Sequence, residues 1–130
     1  MTHHTKTITL STGVKVTVGA RNSWSLIHAR SVANSIIIAM GIESLMDLPR
    51  REQIQVSTYI DMLVDTEHID GDLGFAWPEI GDDDKVIYAA YQAISHHLTP
   101  KDLMDWHGAI LDVSYGPGEE ELKPGVNEKN

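Results

Sequence analysis

The chain has 130 residues, which fits one domain, and 42% of them are hydrophobic, which is enough for a compact core. It contains no cysteine, so disulfide frameworks, thiolate zinc sites and cysteine nucleophiles are excluded. The net charge of −9 disfavours non-specific nucleic-acid binding, which needs a positive surface, and is typical of an acidic surface that favours solubility.

The N-terminal residues have the pattern of a β-hairpin. Across Thr5–Val18, apolar residues alternate with Thr and Lys on both sides of a short connection, Ser11-Thr12-Gly13. This two-residue alternation predicts two antiparallel strands with one apolar face. The predicted apolar face consists of Ile8, Leu10, Val14, Val16 and Val18. Because a lone hairpin is marginal in water, we expect it to lie on the helices or to pair with a strand of a partner.

The next segment shows helical spacing from Trp24 to Met40, with Asn22 or Ser23 as the cap and Gly41 as the stop. Its predicted buried stripe consists of Leu26, Ala29, Ala33, Ile36, Ile37 and Met40, with Val32 beside it. The apolar stretch is too short to cross a bilayer, and the N-terminus lacks the long apolar run of a signal peptide. We therefore expect a soluble cytoplasmic protein without a membrane partner.

Three more helices are predicted after a short connector over residues 42–48. The second spans Arg50–Asp65, the third opens at the three acidic residues 82–84, and the fourth begins with Thr99 as cap and Pro100 in the first turn. The Gly- and Pro-containing segment Thr66–Gly81 is interpreted as the longest irregular stretch.

The predicted fold class is therefore α+β, mostly α. An N-terminal β-hairpin and about four helices form a single domain over residues 1–118. Residues 119–130 are polar and predict a flexible acidic C-terminal tail.

A search for catalytic and metal-binding patterns leaves no convincing site. His96 and His97 are adjacent and would point about 100° apart on a helix, which suits chelation poorly. The acidic segment Asp70-Gly71-Asp72 resembles a calcium loop only in composition, because its glycine is out of register with the required ligands. A Ser/His/Asp set stays open, since such groups meet in space. We expect no enzyme activity, no metal and no cofactor, and a structural role for His107.

Apolar residues outside the obvious stripes predict contacts with other protein chains. Ile38 follows two other isoleucines and cannot share one stripe with both, and Phe75 and Trp77 lie in the Gly/Pro-rich loop. Trp77 has two open roles, as cover over the domain's own core or as contact with a partner. The candidate protein-interface residues are Leu10, Val14, Val16, Ile38, Phe75 and Trp77.

The hairpin motif Leu10-Ser11-Thr12-Gly13, the acidic helical body with Leu98-Thr-Pro-Lys-Asp-Leu103 and the charged tail together resemble the tail assembly chaperones of long-tailed bacteriophages. The resemblance implies a non-catalytic protein that binds tape measure and tail tube proteins during tail morphogenesis in the host cell cytoplasm. It carries no catalytic or cofactor-binding residue to this chain. We also expect association between copies of the chain. The alternatives are a structural virion component, such as a tail completion or connector subunit, and a small acidic inhibitor of a host protein.

Overall fold

Three strands and four helices make up the part of the chain that a computed structural model describes, residues 4–79 and 81–115. In chain order they are β1 (Thr5–Thr9), β2 (Lys15–Gly19), α1 (Ser23–Met40), α2 (Arg50–Asp65), β3 (Thr66–Asp70), α3 (Asp84–His97) and α4 (Pro100–Tyr115), with one 3-10 turn over Leu45–Asp47. The predicted α+β class with mostly helical content is confirmed. The predicted tail, residues 119–130, lies outside the described residues, as do both ends of the predicted domain.

The three strands form one antiparallel sheet in the order β1-β2-β3, and the predicted hairpin is its first half. Ile8 lies opposite Val16, so their side chains share the face that is turned toward the helices. The connection closes with a hydrogen bond of 2.8 Å from the Leu10 amide to the Val14 carbonyl. Gly13 has a φ of 92°, a conformation that explains the glycine in this turn.

The interpretation of Thr66–Gly81 as wholly irregular is wrong over its first five residues, which form β3. This strand follows α2 without a connecting residue and pairs with β2, placing Ile69 opposite Val16. Its remaining residues are polar, and the pairing shifts register beside Thr17 and Val18. The strand therefore lacks the alternation that marks β1 and β2, and it depends on its neighbour for its hydrogen bonds.

The helices begin and end where their caps predict. The Asn22 side chain accepts from the Ser25 amide and Ser25 accepts from the Asn22 amide, which starts α1 at Ser23. Gly41 ends α1 with a φ of 71°. Asp83 caps α3, and the Thr99 hydroxyl accepts from the amide of the third residue of α4 at 3.1 Å.

The hydrophobic core lies between the sheet and the helices. α4 packs against β1, β2 and α2, while α1 packs against α2 and α3. Trp106 and Ile110 of α4 are completely buried beneath the inner face of the sheet, and Tyr59 of α2 is almost completely buried with them. The Trp106 indole donates to the Thr66 hydroxyl at 2.9 Å, so its one polar atom is satisfied inside the core.

The hairpin turn is fixed to the first turn of α4 by Asp102, which is 3% exposed. The Ser11 amide donates to Oδ1 of this carboxylate at 2.9 Å and the Ser11 hydroxyl donates to Oδ2 at 2.6 Å. Burial alone would raise the pKa of Asp102, but these hydrogen bonds, with a further one from Thr99, outweigh burial and lower the pKa. The Leu10–Gly13 motif therefore has a structural role, because it anchors the hairpin to the helical body.

Candidate functional site

The most concentrated group of charged side chains is a polar network between the end of β2, α1, α2 and α4. Asp65 is 4% exposed and accepts from the Ser25 hydroxyl at 2.8 Å and from Nε of Arg21 at 3.3 Å. Arg21 also pairs with Asp61, and the second oxygen of Asp61 lies 3.0 Å from Nε2 of His107. Each buried charge has an opposite partner, so the arrangement is a satisfied structural network.

The geometry of this network does not match a catalytic triad. Ser25 bonds to Asp65, whereas His107 bonds to Asp61, so the hydroxyl and the imidazole bond to different carboxylates. A nucleophilic serine needs a hydrogen bond to its general base. Burial alone would lower the pKa of Arg21, but Asp61 and Asp65 outweigh it and raise the pKa, so the guanidinium stays charged. Within residues 4–79 and 81–115, no group of His, Asp and Glu is placed to hold a metal ion.

A groove lined mainly by α2 and α3 is one of the concave features of the described chain, with a volume of about 410 Å³. We call it the α2–α3 groove. Its floor and walls are formed by Ile54, Tyr59, Met62, Tyr88, Tyr91 and Ile94, and its rim includes Glu52, Gln55, Gln92 and His96. Both helices pack on α1, and the side chains of Tyr59 and Tyr91 connect the two helices beside the groove. Its size falls in the range of about 300–1,000 Å³ that is typical of binding clefts.

The tyrosines of the groove are held in fixed positions. The Tyr59 hydroxyl donates to the Ile87 carbonyl at 2.9 Å, and its ring lies 5.4 Å from that of Tyr91, which lies 5.9 Å from that of Tyr88. Burial raises the pKa of Tyr59, and burial together with the negative charge of Glu52 raises the pKa of Tyr91. The groove therefore presents neutral aromatic rings beside one carboxylate.

A second candidate surface is the outward side of α1. Ile27 and Ile38 lie at its centre, and Trp24 and Leu26 lie at its two edges. These four large apolar side chains are 59%, 64%, 66% and 65% exposed in that order. The same side carries Arg30, Ser31 and Asn34, which are also exposed. We call these residues together the α1 face. Large apolar side chains clustered at this exposure mark a contact surface more often than isolated ones do.

The structure corrects half of the sequence-predicted interface. Leu10, Val14 and Val16 are 3%, 5% and 0% exposed and belong to the domain's own core. Val16 lies in β2, and Leu10 and Val14 lie next to β1 and β2 at the turn. The hairpin lies beneath α4, whose Trp106 and Ile110 cover its apolar face. These three residues are therefore core residues and are not available to a partner.

The other three predicted interface residues have different positions. Ile38 is exposed on the α1 face, as its place in the triple isoleucine run predicts. Trp77 is half-buried and stacks on Trp106 with ring centroids 4.9 Å apart, and Phe75 lies 5.3 Å from the ring of His97. Both loop aromatics pack against the core, so cover over the core is the role that the structure gives Trp77.

Several surface residues could not be found from the stripe pattern. Leu26 belongs to the predicted buried stripe but is exposed, because the apolar residues of α1 are spread over more than one side and do not define a single buried side. Ile54 of α2 and Tyr88 of α3 both line the α2–α3 groove. Their grouping in one groove depends on the splay between α2 and α3, which no local pattern encodes.

Comparison with family models, with curated proteins and with solved structures found no match to this chain. The helices of residues 4–79 and 81–115 include none with the length and apolar content needed to span a bilayer. The function is therefore argued from the geometry of the α2–α3 groove and the α1 face.

Proposed function

We propose that this protein is a non-catalytic assembly chaperone that holds an apolar segment of a partner protein in the α2–α3 groove. The observation that carries the proposal is the groove itself, an open apolar and aromatic cleft of about 410 Å³ lined by side chains of α2 and α3. An apolar helix or loop of a partner could fill such a cleft with its side chains, as occurs in helix-in-groove recognition.

The composition of the groove favours a protein partner. Tyrosine is enriched in protein interfaces because it combines a large apolar ring with a polar end, and Tyr59, Tyr88 and Tyr91 all line this groove. Ile54 stands at the edge of the groove with 57% of its surface exposed, and it would be covered when a partner binds. Covering these side chains would bury apolar area without any reacting group.

Charge indicates what kind of segment would bind. Glu52 lies at the groove rim and contributes negative potential at Tyr91, and the whole chain carries a net charge of −9. An apolar segment flanked by Lys or Arg would be attracted electrostatically, and this attraction would weaken as salt is added. The likeness of Leu10-Ser11-Thr12-Gly13 to tail assembly chaperones supports tape measure and tail tube proteins as the clients.

The test is binding of purified tape measure and tail tube proteins to the full chain and to Ile54→Asp. Because Ile54 is exposed, the variant should stay folded and bind its client about tenfold more weakly or worse. Met104→Asp is the matched control, since Met104 is 73% exposed on α4 and does not line the groove. Equal binding by the wild type and Ile54→Asp would contradict the groove as the client site, and no binding by the wild type would contradict the choice of clients.

The fate of the protein after assembly separates the chaperone from a structural virion component. A chaperone leaves the finished particle, so the chain should be absent from purified virions of the phage that encodes its clients. Stoichiometric amounts in washed virions, measured by quantitative mass spectrometry, would favour a tail completion or connector subunit instead.

A further inference from the structure

We propose that the α1 face is a contact between two copies of this chain, which pair α1 against α1 in antiparallel orientation about a two-fold axis. This inference goes beyond the proposed client site, because the α1 face and the α2–α3 groove are formed by different residues. It concerns which molecule covers the exposed apolar side chains of α1.

The charge of α1 favours a second copy as the occupant. The chain has 19 acidic residues, but none of them lies in Ser23–Met40, where Arg30 is the one residue with a permanent charge. Two molecules that each carry a net charge of −9 repel each other at most approaches. Contact through a helix without carboxylates avoids placing like charges together, and it covers the exposed side chains of Ile27 and Ile38 in each copy.

The order of side chains along the α1 face selects the antiparallel orientation. Apolar residues lie toward both ends, with Ile27 near one end and Ile38 near the other, and the polar residues Ser31 and Asn34 lie between them. A two-fold axis near the middle of the helix places Ile27 of one copy against Ile38 of the other and Ser31 against Asn34. Parallel pairing would instead place Arg30 directly against Arg30, which like-charge repulsion disfavours.

Charges next to the helix complement this orientation. A shallow concavity beside Ile38 is lined by Ala39, Asp83, Asp84 and Lys85, so two carboxylates face it with one ammonium group. Antiparallel pairing brings the N-terminal half of the second copy's α1 toward it, with Arg30 and with the positive end of the helix dipole. Parallel pairing would bring the negative C-terminal end toward the same carboxylates.

The size of the contact sets its expected strength. An 18-residue helix is about 27 Å long, and a single helix pair buries less than the roughly 800 Å² per partner of a standard interface. The dimer should therefore dissociate at a concentration of about 1 to 100 μM.

Sedimentation velocity of the full chain, without any client, tests the contact over a range of about 1 to 300 μM. The wild type should change from monomer to dimer. Ile27→Asp and Ile38→Asp should each raise the dissociation constant by about tenfold or more, while Met104→Asp leaves it unchanged. A wild type that stays monomeric, or a dimer that both α1 variants leave intact, would overturn the proposal.

Cross-linking tests the orientation, because the natural chain has no cysteine. In the antiparallel pair, a mixture of Ile27→Cys and Ile38→Cys should form a disulfide-linked dimer on mild oxidation. Each variant alone should not, because its cysteines would lie roughly 16 Å apart along the helix axis, beyond the reach of a disulfide. Efficient cross-linking of each variant with itself, and not of the mixture, would overturn the antiparallel arrangement. Ser57→Cys is the control, because Ser57 is exposed on α2 and lies outside the α1 face. Its cross-linking measures how many disulfides form by random collision.

Discussion

The β1–β2 hairpin and helix α1 are both rich in apolar residues, yet the molecule uses them in opposite ways. The hairpin alternates strictly and buries its inner side chains, so that Val16 and Val18 are inaccessible to solvent. Helix α1 has apolar residues on more than one side, buries Val32 and Ile36, and leaves four large apolar side chains exposed. A strictly amphipathic element thus indicates where the core lies, whereas a helix with apolar residues on several sides leaves some of them exposed to solvent.

The difference arises from the number of neighbours that cover each element. The inner face of the hairpin is covered by α4, whose Trp106 and Ile110 are completely buried. Helix α1 packs mainly on α2 and α3, and its side chains on the opposite side stay exposed. The exposed large apolar side chains therefore lie mainly on the helices and not on the inner face of the hairpin.

The largest effect should come from placing the same carboxylate in each region. Val16→Asp buries an unpaired charge and should lower the free energy of unfolding by about 4 kcal/mol or more, or prevent folding. Ile38→Asp alters an exposed position and should change the free energy of unfolding by no more than about 0.5 kcal/mol. Chemical denaturation at low protein concentration measures both, since association then contributes little. A similar loss in free energy of unfolding for Val16→Asp and Ile38→Asp would contradict the contrast between a buried hairpin and an exposed side of α1.

A tryptophan pair extends the comparison to the loop before α3. Trp77→Ala removes a half-buried ring stacked on Trp106 and should cost about 2 kcal/mol, which is less than for a fully buried tryptophan. Trp24→Ala, on the α1 face, is the matched control and should change the free energy of unfolding by about 0.5 kcal/mol or less. If Trp77→Ala left stability unchanged, its ring would have to be assigned to a partner contact instead.

The anchor between the hairpin and α4 should contribute a similar free energy of unfolding, and this contribution should depend on pH. Asp102→Ala removes both acceptors of Ser11 and should cost about 2 kcal/mol at neutral pH. The folded pKa of Asp102 lies below its ordinary value of 3.8, so this contribution is present above that value and is lost as the pH falls through the folded pKa. Asp105→Ala breaks an exposed pair with Lys101 and should cost about 0.5 kcal/mol or less.

Thermal melts of Asp102→Ala and the wild type from neutral pH to about pH 2 should therefore converge at the acidic end. A gap between the two curves that stays constant over the whole range would show that the carboxylate charge does not stabilise the hairpin anchor.

Strong local signals allowed most of the fold to be predicted. The alternation around Gly13, the caps at Asn22 and Thr99 and the stop at Gly41 each act within a few residues, and each is found in place. Strand β3 was missed because it owes its pairing to β2 and not to its own sequence.

The surfaces were harder to predict because they depend on what covers each element. The alternating pattern around Val14 is equally compatible with a hairpin that binds a partner and with a hairpin that packs on the domain's own core. Only the position of α4 decides between these two roles. The α2–α3 groove likewise follows from how far two helices splay, a tertiary feature. The exposure of Ile38 could be predicted, because three consecutive isoleucines cannot all face one core.

Methyl NMR of the full chain with labelled isoleucines tests most directly whether the protein works through its helices. On dilution, the signals of Ile27 and Ile38 should shift with one common dissociation constant. On addition of a tape measure or tail tube protein, the signal of Ile54 should shift, while buried Ile36 and Ile110 report that the fold is intact. If only the NMR signals of Ile8 and Ile69 shifted, the account would be contradicted. These residues lie on the two edge strands, so the contact with other chains would then be made by the sheet.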